Sequence, residues 1–288
     1  MMGSMTSGVP AIEVTGLSKA YGSQQALRGI DFTVARGEVF GLLGPNGAGK
    51  TTAVEILEGY RARDTGDVQV LGQDPGKRSG DLRSRVGIVL QSCGTYPHLT
   101  VAETVEHWAS LYPNPRRVDE VLALAGLDEC AGRRARTLSG GQARRLDFAL
   151  ALVGDPELIF LDEPTTGFDP GARRAAWDVI RALRDLGKTV VLTTHYLDEA
   201  QTLADRVAIL QDGRILAEGP PDSLGASRYR VAWRGLDGST EERFTDDPTA
   251  LLQELTADAL ARGERLEELS VTRPSLEDVY LELTEAFA

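Results

Sequence analysis

Residues 39–57 read VFGLLGPNGAGKTTAVEIL. The run Val39 to Leu43 predicts a short buried strand, and the helical spacing of Val54 and Leu57 predicts a helix behind it. Between them, Gly44-Pro45-Asn46-Gly47-Ala48-Gly49-Lys50-Thr51 fits the pattern G-x-x-x-x-G-K-[ST]. Glycines in such a loop let successive backbone N–H groups face one point, the helix N-terminus adds its dipole, and Lys50 brings a mobile positive charge to the outer phosphates of a nucleotide. Thr51 offers a hydroxyl suited to Mg²⁺. A glycine turn ending in a surface lysine is the plain alternative, and it leaves the strand before and the helix after unexplained.

Outward from this stretch, residues 11–35 alternate, with Ile12 and Val14, then Ile30, Phe32 and Val34, which predicts antiparallel strands around a turn at Tyr21-Gly22. Short apolar runs at Val86 to Leu90, Leu158 to Leu161, Val190 to Leu192 and Val207 to Leu210 suit strands buried on both faces of a parallel sheet. From about Ser92 to Pro156 the apolar spacing is helical, opening with a capping box of Thr100 and Glu103, so a helical subdomain is expected at 92–156. After Gly219-Pro220-Pro221 the texture changes. Tyr229, Val231 and Trp233 alternate with Arg230 and Ala232, Glu241 to Thr245 reads as a second strand, and Leu251, Leu252 and Leu255 share a helix face. Leu266 to Val271 suits another strand, and Ser275 with Asp278 makes a second capping box before Leu276, Val279, Tyr280 and Leu283. The expected fold is α/β over residues 11–220, with a small α+β domain over 221–288.

Two further motifs carry chemistry. In Leu158-Ile159-Phe160-Leu161-Asp162-Glu163, four apolar residues bury a strand whose end carries adjacent acids: Asp162 to reach a Mg²⁺ shell, Glu163 to orient or deprotonate an attacking water. In Leu138-Ser139-Gly140-Gly141-Gln142, Ser139 can cap a helix running through Leu146, Ala149, Leu150 and Val153, whose N-terminus presents donors to an anion. Two glycines at a helix start carry a propensity cost that a mere cap would not need.

On these residues the chain resembles the nucleotide-binding subunits of ATP-binding cassette (ABC) transporters, for which LSGGQ is the signature. The resemblance implies a P-loop NTPase cassette: a parallel-sheet core with an antiparallel β subdomain and an inserted helical subdomain. It implies an ATPase with ATP and Mg²⁺ as cofactors. ATP would be held by Tyr21, stacking on adenine, by Gly44, Pro45, Asn46, Gly47, Ala48, Gly49, Lys50, Thr51 and Thr52, and by Asp162. Glu163, His195, Lys50 and Gln91 would be catalytic, and Thr51, Gln91 and, through water, Asp162 would serve the metal. Ser139, Gly140, Gly141, Gln142 and Asp169 would face the ATP of an opposite copy in a head-to-tail homodimer; Phe168 stands where leucine is commoner. LDEPTTGFDP (161–170) and RPSLEDVYL (273–281) resemble the ABC-2 type drug and antibiotic exporters, including the daunorubicin-resistance group. That comparison implies export of a drug, antibiotic or other hydrophobic molecule through a separately encoded permease, with the subunit on the inner face of the cell membrane. The alternative from another class is a soluble ABC-type ATPase acting on DNA or the ribosome. Such proteins carry long coiled-coil insertions or two cassettes, and this sequence shows neither.

Composition narrows the rest. The 288 residues are 42% hydrophobic and 26% charged, an ordinary globular balance, with no apolar run of membrane length. The opening Met-Met-Gly-Ser-Met has neither the basic nor the apolar region of a secretion signal, and Cys93 and Cys130 lack metal or disulfide spacing, so a cytoplasmic location is expected. Net charge is −12, which at first sight argues against nucleic acid. Yet Leu236 to Ala288 holds 14 acidic and 4 basic residues, leaving −2 for everything before it. The exclusion of nucleic acid therefore rests on motif architecture. His98 and His107 read as ordinary histidines, and the pairs Arg116-Arg117, Arg133-Arg134, Arg144-Arg145 and Arg173-Arg174 as solvated helix faces.

Overall fold

The computed structural model describes residues 8–89, 96–224, 229–235, 239–272 and 276–285, with side chains as far as 281. The chain forms two compact units, divided between Glu218 and Gly219.

In the first unit, β1 (Ile12–Tyr21) and β2 (Gln24–Val34) pair antiparallel across Gly22-Ser23, where Gly22 takes φ +60°. β3 (Val39–Leu43) runs through the glycine loop into α1 (Lys50–Leu57). β4 (Thr65–Val70) then returns antiparallel to β1, giving a sheet of order β2-β1-β4. Following the short α2 (Gly80–Ser84), β5 (Val86–Val89) forms one edge of the main sheet, to which β3 also belongs. The helical insertion holds α3 (Val101–Ala109), α4 (Val118–Leu124) and α5 (Gly140–Leu152). Strand and helix then alternate through β6 (Leu158–Asp162), α6 (Pro170–Asp185), β7 (Thr189–Thr194), α7 (Leu197–Leu203) and β8 (Arg206–Gln211), with β9 (Arg214–Gly219) last. The sheet order is β5-β6-β7-β3-β8-β9, parallel from β5 through β8.

Alternation along the parallel strands divides the core. Ile159, Leu161, Val190 and Leu192 pack with Val105, Leu146, Phe148 and Ile180 of the helices. Leu158, Phe160 and Val191 point the other way, to Phe40, Leu42, Val54 and the antiparallel-sheet residues Ile12 and Phe32. Burial on both faces is what turns these strands into unbroken apolar runs in the sequence. The Thr100–Glu103 capping box forms as expected, with Thr100 N donating to Glu103 Oε2 at 2.8 Å and Glu103 N to Thr100 Oγ1 at 3.2 Å.

The second unit contains β10 (Tyr229–Arg234), β11 (Thr240–Thr245), α8 (Pro248–Arg262), β12 (Glu267–Thr272) and α9 (Leu276–Glu285). Its sheet, β11-β10-β12, is antiparallel, and Val231, Trp233 and Leu255 make a small core beside Leu251, Leu252 and Leu266. Asp247 caps α8 by accepting from Thr249 N and Ala250 N.

β4 and β9 carry no clear strand pattern in the sequence. In TGDVQV only Val68 and Val70 are buried, too short an alternation to stand out from a loop. Leu90 and Ser275, expected to end a strand and open a capping box, lie outside the described residues.

Candidate functional site

The site forms at the carboxyl ends of β3, β6 and β7, the usual crevice position in a parallel sheet. The glycine loop is shaped by close approaches. Gly47 and Gly49 take φ +85° and +111°, and a Cβ on Gly44 would lie 2.1 Å from Leu210 O. Only glycine fits at Gly44, so Gly44→Ala is expected to lower stability by about 1–3 kcal/mol through forced backbone displacement; a thermal midpoint equal to wild type would contradict this.

Lys50, at the first position of α1, is 4% exposed. Its Nζ donates to Gly44 O at 2.7 Å and Pro45 O at 3.1 Å, and lies 3.6 Å from Glu163 Oε1. Burial pulls the ammonium below its ordinary pKa, against the opposing charges of Glu163 and Asp162.

The two acids are pinned by one residue. The parallel register sets Asp162 beside Thr193. Thr193 Oγ1 donates to Asp162 Oδ1 and accepts from Glu163 N at 3.0 Å, while Thr193 O accepts from the same N–H at 3.2 Å. These bonds hold Glu163 at φ +45°, a left-handed conformation that costs a non-glycine residue about 1 kcal/mol or more. The turn sends its side chain back over the glycine loop: Oε1 lies 3.4 Å from His195 Nδ1, and Oε2 accepts from Thr166 Oγ1 at 3.2 Å. Burial raises the Asp162 pKa, helped by the charge of Glu163 and opposed by the Thr193 bond and Lys50.

A second cluster sits at the start of α5. Ser139 is the N-cap; its Oγ accepts from Gln142 N at 3.3 Å, and Gln142 Oε1 accepts in return from Ser139 N at 3.1 Å. Arg133 Nη1 also donates to Gln142 Oε1 at 3.3 Å, and Gln142 Nε2 to Cys130 Sγ at 3.3 Å. Ser139 and Gly140 are exposed, so this helix end faces outward.

Comparison with known proteins decides what this pair of clusters belongs to. A family model described as "ABC transporter" matches residues 27–166. The Nod factor export ATP-binding protein I of Rhizobium sp. (strain N33) is 39% identical over 300 residues, covering 95% of this chain and 97% of that protein. The daunorubicin/doxorubicin resistance ATP-binding protein DrrA of Streptomyces peucetius is 39% identical over 311 residues, 97% and 94% of the two chains. A dimeric ATP-binding cassette, solved in a post-hydrolysis state bound to ADP and Pi, superimposes with a TM-score of 0.64 at 27% identity, over 73% of this chain and 98% of that one. The chain belongs to the ABC transporter family. It is an ATP-binding, ATP-hydrolysing subunit with the α/β P-loop NTPase fold.

Within one copy of this ABC subunit, polar contacts bring together Lys50, Asp162, Glu163 and His195. Those of Ser139 and Gln142 are with each other, Arg133 and Cys130, and Asp169 Oδ1 accepts from Gly171 N and Ala172 N as the cap of α6. Tyr21 ends β1 and is 41% exposed, and the Arg61 guanidinium lies 5.1 Å from its ring centre. Thr51 is exposed at the start of α1 and Thr52 half-buried. Gln91 and Cys93 lie outside the described residues. His98 and His107 are exposed, whereas the reading of Arg144 as solvated is overturned: it is buried, pairs with Asp147 and donates from Nε to Pro164 O at 3.2 Å, tying α5 to the segment after Glu163. A helix-start arginine in a charged run looks like surface because sequence spacing does not show the carbonyl it reaches.

Glu58, capping the C-terminus of α1, is a further departure from a simple surface acid. Its Oε1 is buried without a hydrogen-bond partner, and burial, then the charges of Asp162 and Glu55, push its pKa up to about 8. The folded protein therefore holds this proton more tightly than the unfolded chain, and stability from this group is lost as pH rises from the ordinary carboxylate range through about 8. Glu58→Gln, which cannot ionise, is expected to melt above wild type by an increment that grows between pH 5 and pH 8.5. An increment independent of pH would refute the assignment.

Proposed function

We propose that this subunit drives export of a drug, antibiotic or other hydrophobic small molecule through a separately encoded ABC-2 type membrane permease. In this role it works at the inner face of the cell membrane. The observation that carries the catalytic part is the contact of Glu163 Oε1 with both Lys50 Nζ and His195 Nδ1 at the mouth of the glycine loop. The export branch is supported by two relatives, named for Nod factor export and daunorubicin/doxorubicin resistance, that match nearly the full chain. Among the described residues no helix is long and apolar enough to cross a membrane, consistent with a permease on another chain.

In this proposal Tyr21 stacks on adenine and the loop Gly44–Thr52 cradles the phosphates. Lys50 neutralises charge on the β- and γ-phosphates, and Glu163 orients the attacking water and takes up its proton. His195, beside Glu163, donates to the γ-phosphate. The hydroxyl of Thr51 and the carboxylate of Asp162 are hard oxygen donors; Asp162, half-buried beside a second acid, is a group whose ionised form a divalent cation would stabilise, so the residues fit Mg²⁺. Bound there with Gln91 as a further ligand, Mg²⁺ would compensate charge on the phosphate oxygens. Ser139, whose Oγ accepts from its own helix, keeps its hydroxyl hydrogen for donation. In a head-to-tail dimer that hydrogen and the Gly140-Gly141 amides of α5 close on the γ-phosphate held by the opposite copy, with Gln142 and Asp169 at the seam. Closure and reopening supply the motion that the permease uses.

The test is co-purification from the native host. A polytopic membrane protein should accompany a tagged copy; DNA or ribosomes in its place would overturn the transporter reading in favour of a soluble ABC-type ATPase.

A further inference from the structure

Glu199 lies on α7, four residues past His195, and is 0% exposed. A carboxylate so placed needs matched donors. Its Oε1 has two: Thr165 Oγ1 at 2.7 Å and Trp177 Nε1 at 3.0 Å. Thr165, itself buried, stands two residues beyond Glu163 in the segment that leads to Asp169. Trp177 comes from α6, the helix that Asp169 caps. A single oxygen thus joins the segments carrying Glu163, Asp169 and His195. The other, Oε2, is buried with no hydrogen-bond partner, and so is Nε of Arg173. The Arg173 guanidinium packs over Trp177 at 5.3 Å and Tyr196 at 4.4 Å and pairs with Asp198, walling the cluster from solvent. An apolar side chain would fill this site without leaving an oxygen unmatched, so the acid's contribution lies in the two bonds it does make.

We propose that Glu199 is a positioning residue for ATP hydrolysis: by accepting from Thr165 and Trp177 it holds the Glu163 segment against the His195 segment and so sets the 3.4 Å contact between Glu163 and His195. Fully buried among Thr165 and Trp177, it acts through Glu163. The inference rests on the proposed role of Glu163. Displacement of a reacting group by about 1 Å can cost about 10²-fold in rate, which sets the scale of the effect.

Steady-state ATP hydrolysis by the full-length chain tests it with three variants. Glu199→Leu removes the acceptor and is expected to lower kcat by about 10- to 100-fold with KM for ATP changed less than about twofold. Glu199→Gln keeps an acceptor oxygen for both donors and should recover kcat to within about threefold of wild type, a rescue that a charge-based role would not give. Thr165→Val removes only the loop's donor while keeping side-chain volume. It should lower kcat by at least about threefold at unchanged KM, and it decides the matter if the leucine variant fails to fold. The proposal is overturned if Thr165→Val turns over like wild type, if the glutamine variant is as slow as the leucine variant, or if kcat and ATP affinity fall together in step with the thermal midpoint. Absence of hydrolysis in the wild-type protein would instead bring down the reading of Glu163, and this inference with it.

Discussion

Glu163→Gln is expected to reduce ATP turnover by about 10²- to 10⁴-fold, the range for loss of a positioned general base, while ATP still binds and draws two copies together. The side chain's direction is set by the backbone at φ +45° and by the two bonds from its N–H to Thr193, none of which the substitution touches. Glutamine keeps an acceptor for Thr166 Oγ1, so the carboxamide occupies the same place. What it loses is the negative charge and the ability to take a proton from water. Losing that charge also removes the anion 3.6 Å from Lys50 Nζ, leaving the ammonium's field to the phosphates. Affinity for ATP should therefore be equal or tighter, and the closed dimer should persist. Light scattering with ATP, alongside an ATPase assay, separates the two effects; wild-type turnover, or loss of ATP binding, would sink the assignment.

The parts of the fold that the sequence made legible are those in which one residue pattern answers one environment. Val39 to Leu43 and Leu158 to Leu161 are unbroken apolar runs because both faces of their sheet are covered. The glycine loop is legible because its conformation is available to few other residues: at Gly44 even a methyl group would meet Leu210 O. β4 and β9 escape because edge strands answer only half to the core, and TGDVQV or RILAEG looks like the polar connections around it.

The candidate site divides along similar lines. Lys50, Asp162, Glu163 and His195 announce themselves by motif; Lys50 and His195 both meet Glu163, and Asp162 is tied to Glu163 through Thr193. Thr193 and Glu199, which organise them, do not. Thr193 matters because the β6–β7 register sets it beside Asp162, a relation between residues 31 apart in the chain, and in sequence it is only the polar end of a strand. Glu199 reads as a first-turn helix acid until its burial under Trp177 and Thr165 is seen. Asp169 shows the reverse case: resemblance assigns it to a dimer seam, and the structure adds a role within one copy that the motif does not announce, Oδ1 capping α6.

Lys50→Ala is expected to act one step earlier than Glu163→Gln, abolishing ATP binding and with it all turnover. Lys50 Nζ lies 3.6 Å from Glu163 Oε1, and burial already disfavours its charge, a penalty that the two acids offset only in part. Removing it leaves Asp162 and Glu163 facing an incoming polyanion with no ammonium between them. A hydrogen bond to a charged group contributes about 1.5–3 kcal/mol, so even one lost phosphate contact weakens binding by about 10- to 100-fold, and repulsion from the unmatched acids adds to that. Arginine should not rescue: the lysine is 4% exposed, with its ammonium bonded to Gly44 O and Pro45 O, and a planar guanidinium does not fit where a compact point charge is held. Equilibrium binding of a fluorescent ATP analogue to wild type, Lys50→Ala, Lys50→Arg and Glu163→Gln provides the comparison. Binding should be lost in both lysine variants and kept in the glutamine variant. If Lys50→Ala bound the analogue as tightly as wild type, the ammonium would have no part in holding phosphate, and the glycine loop's amides alone would have to account for the affinity.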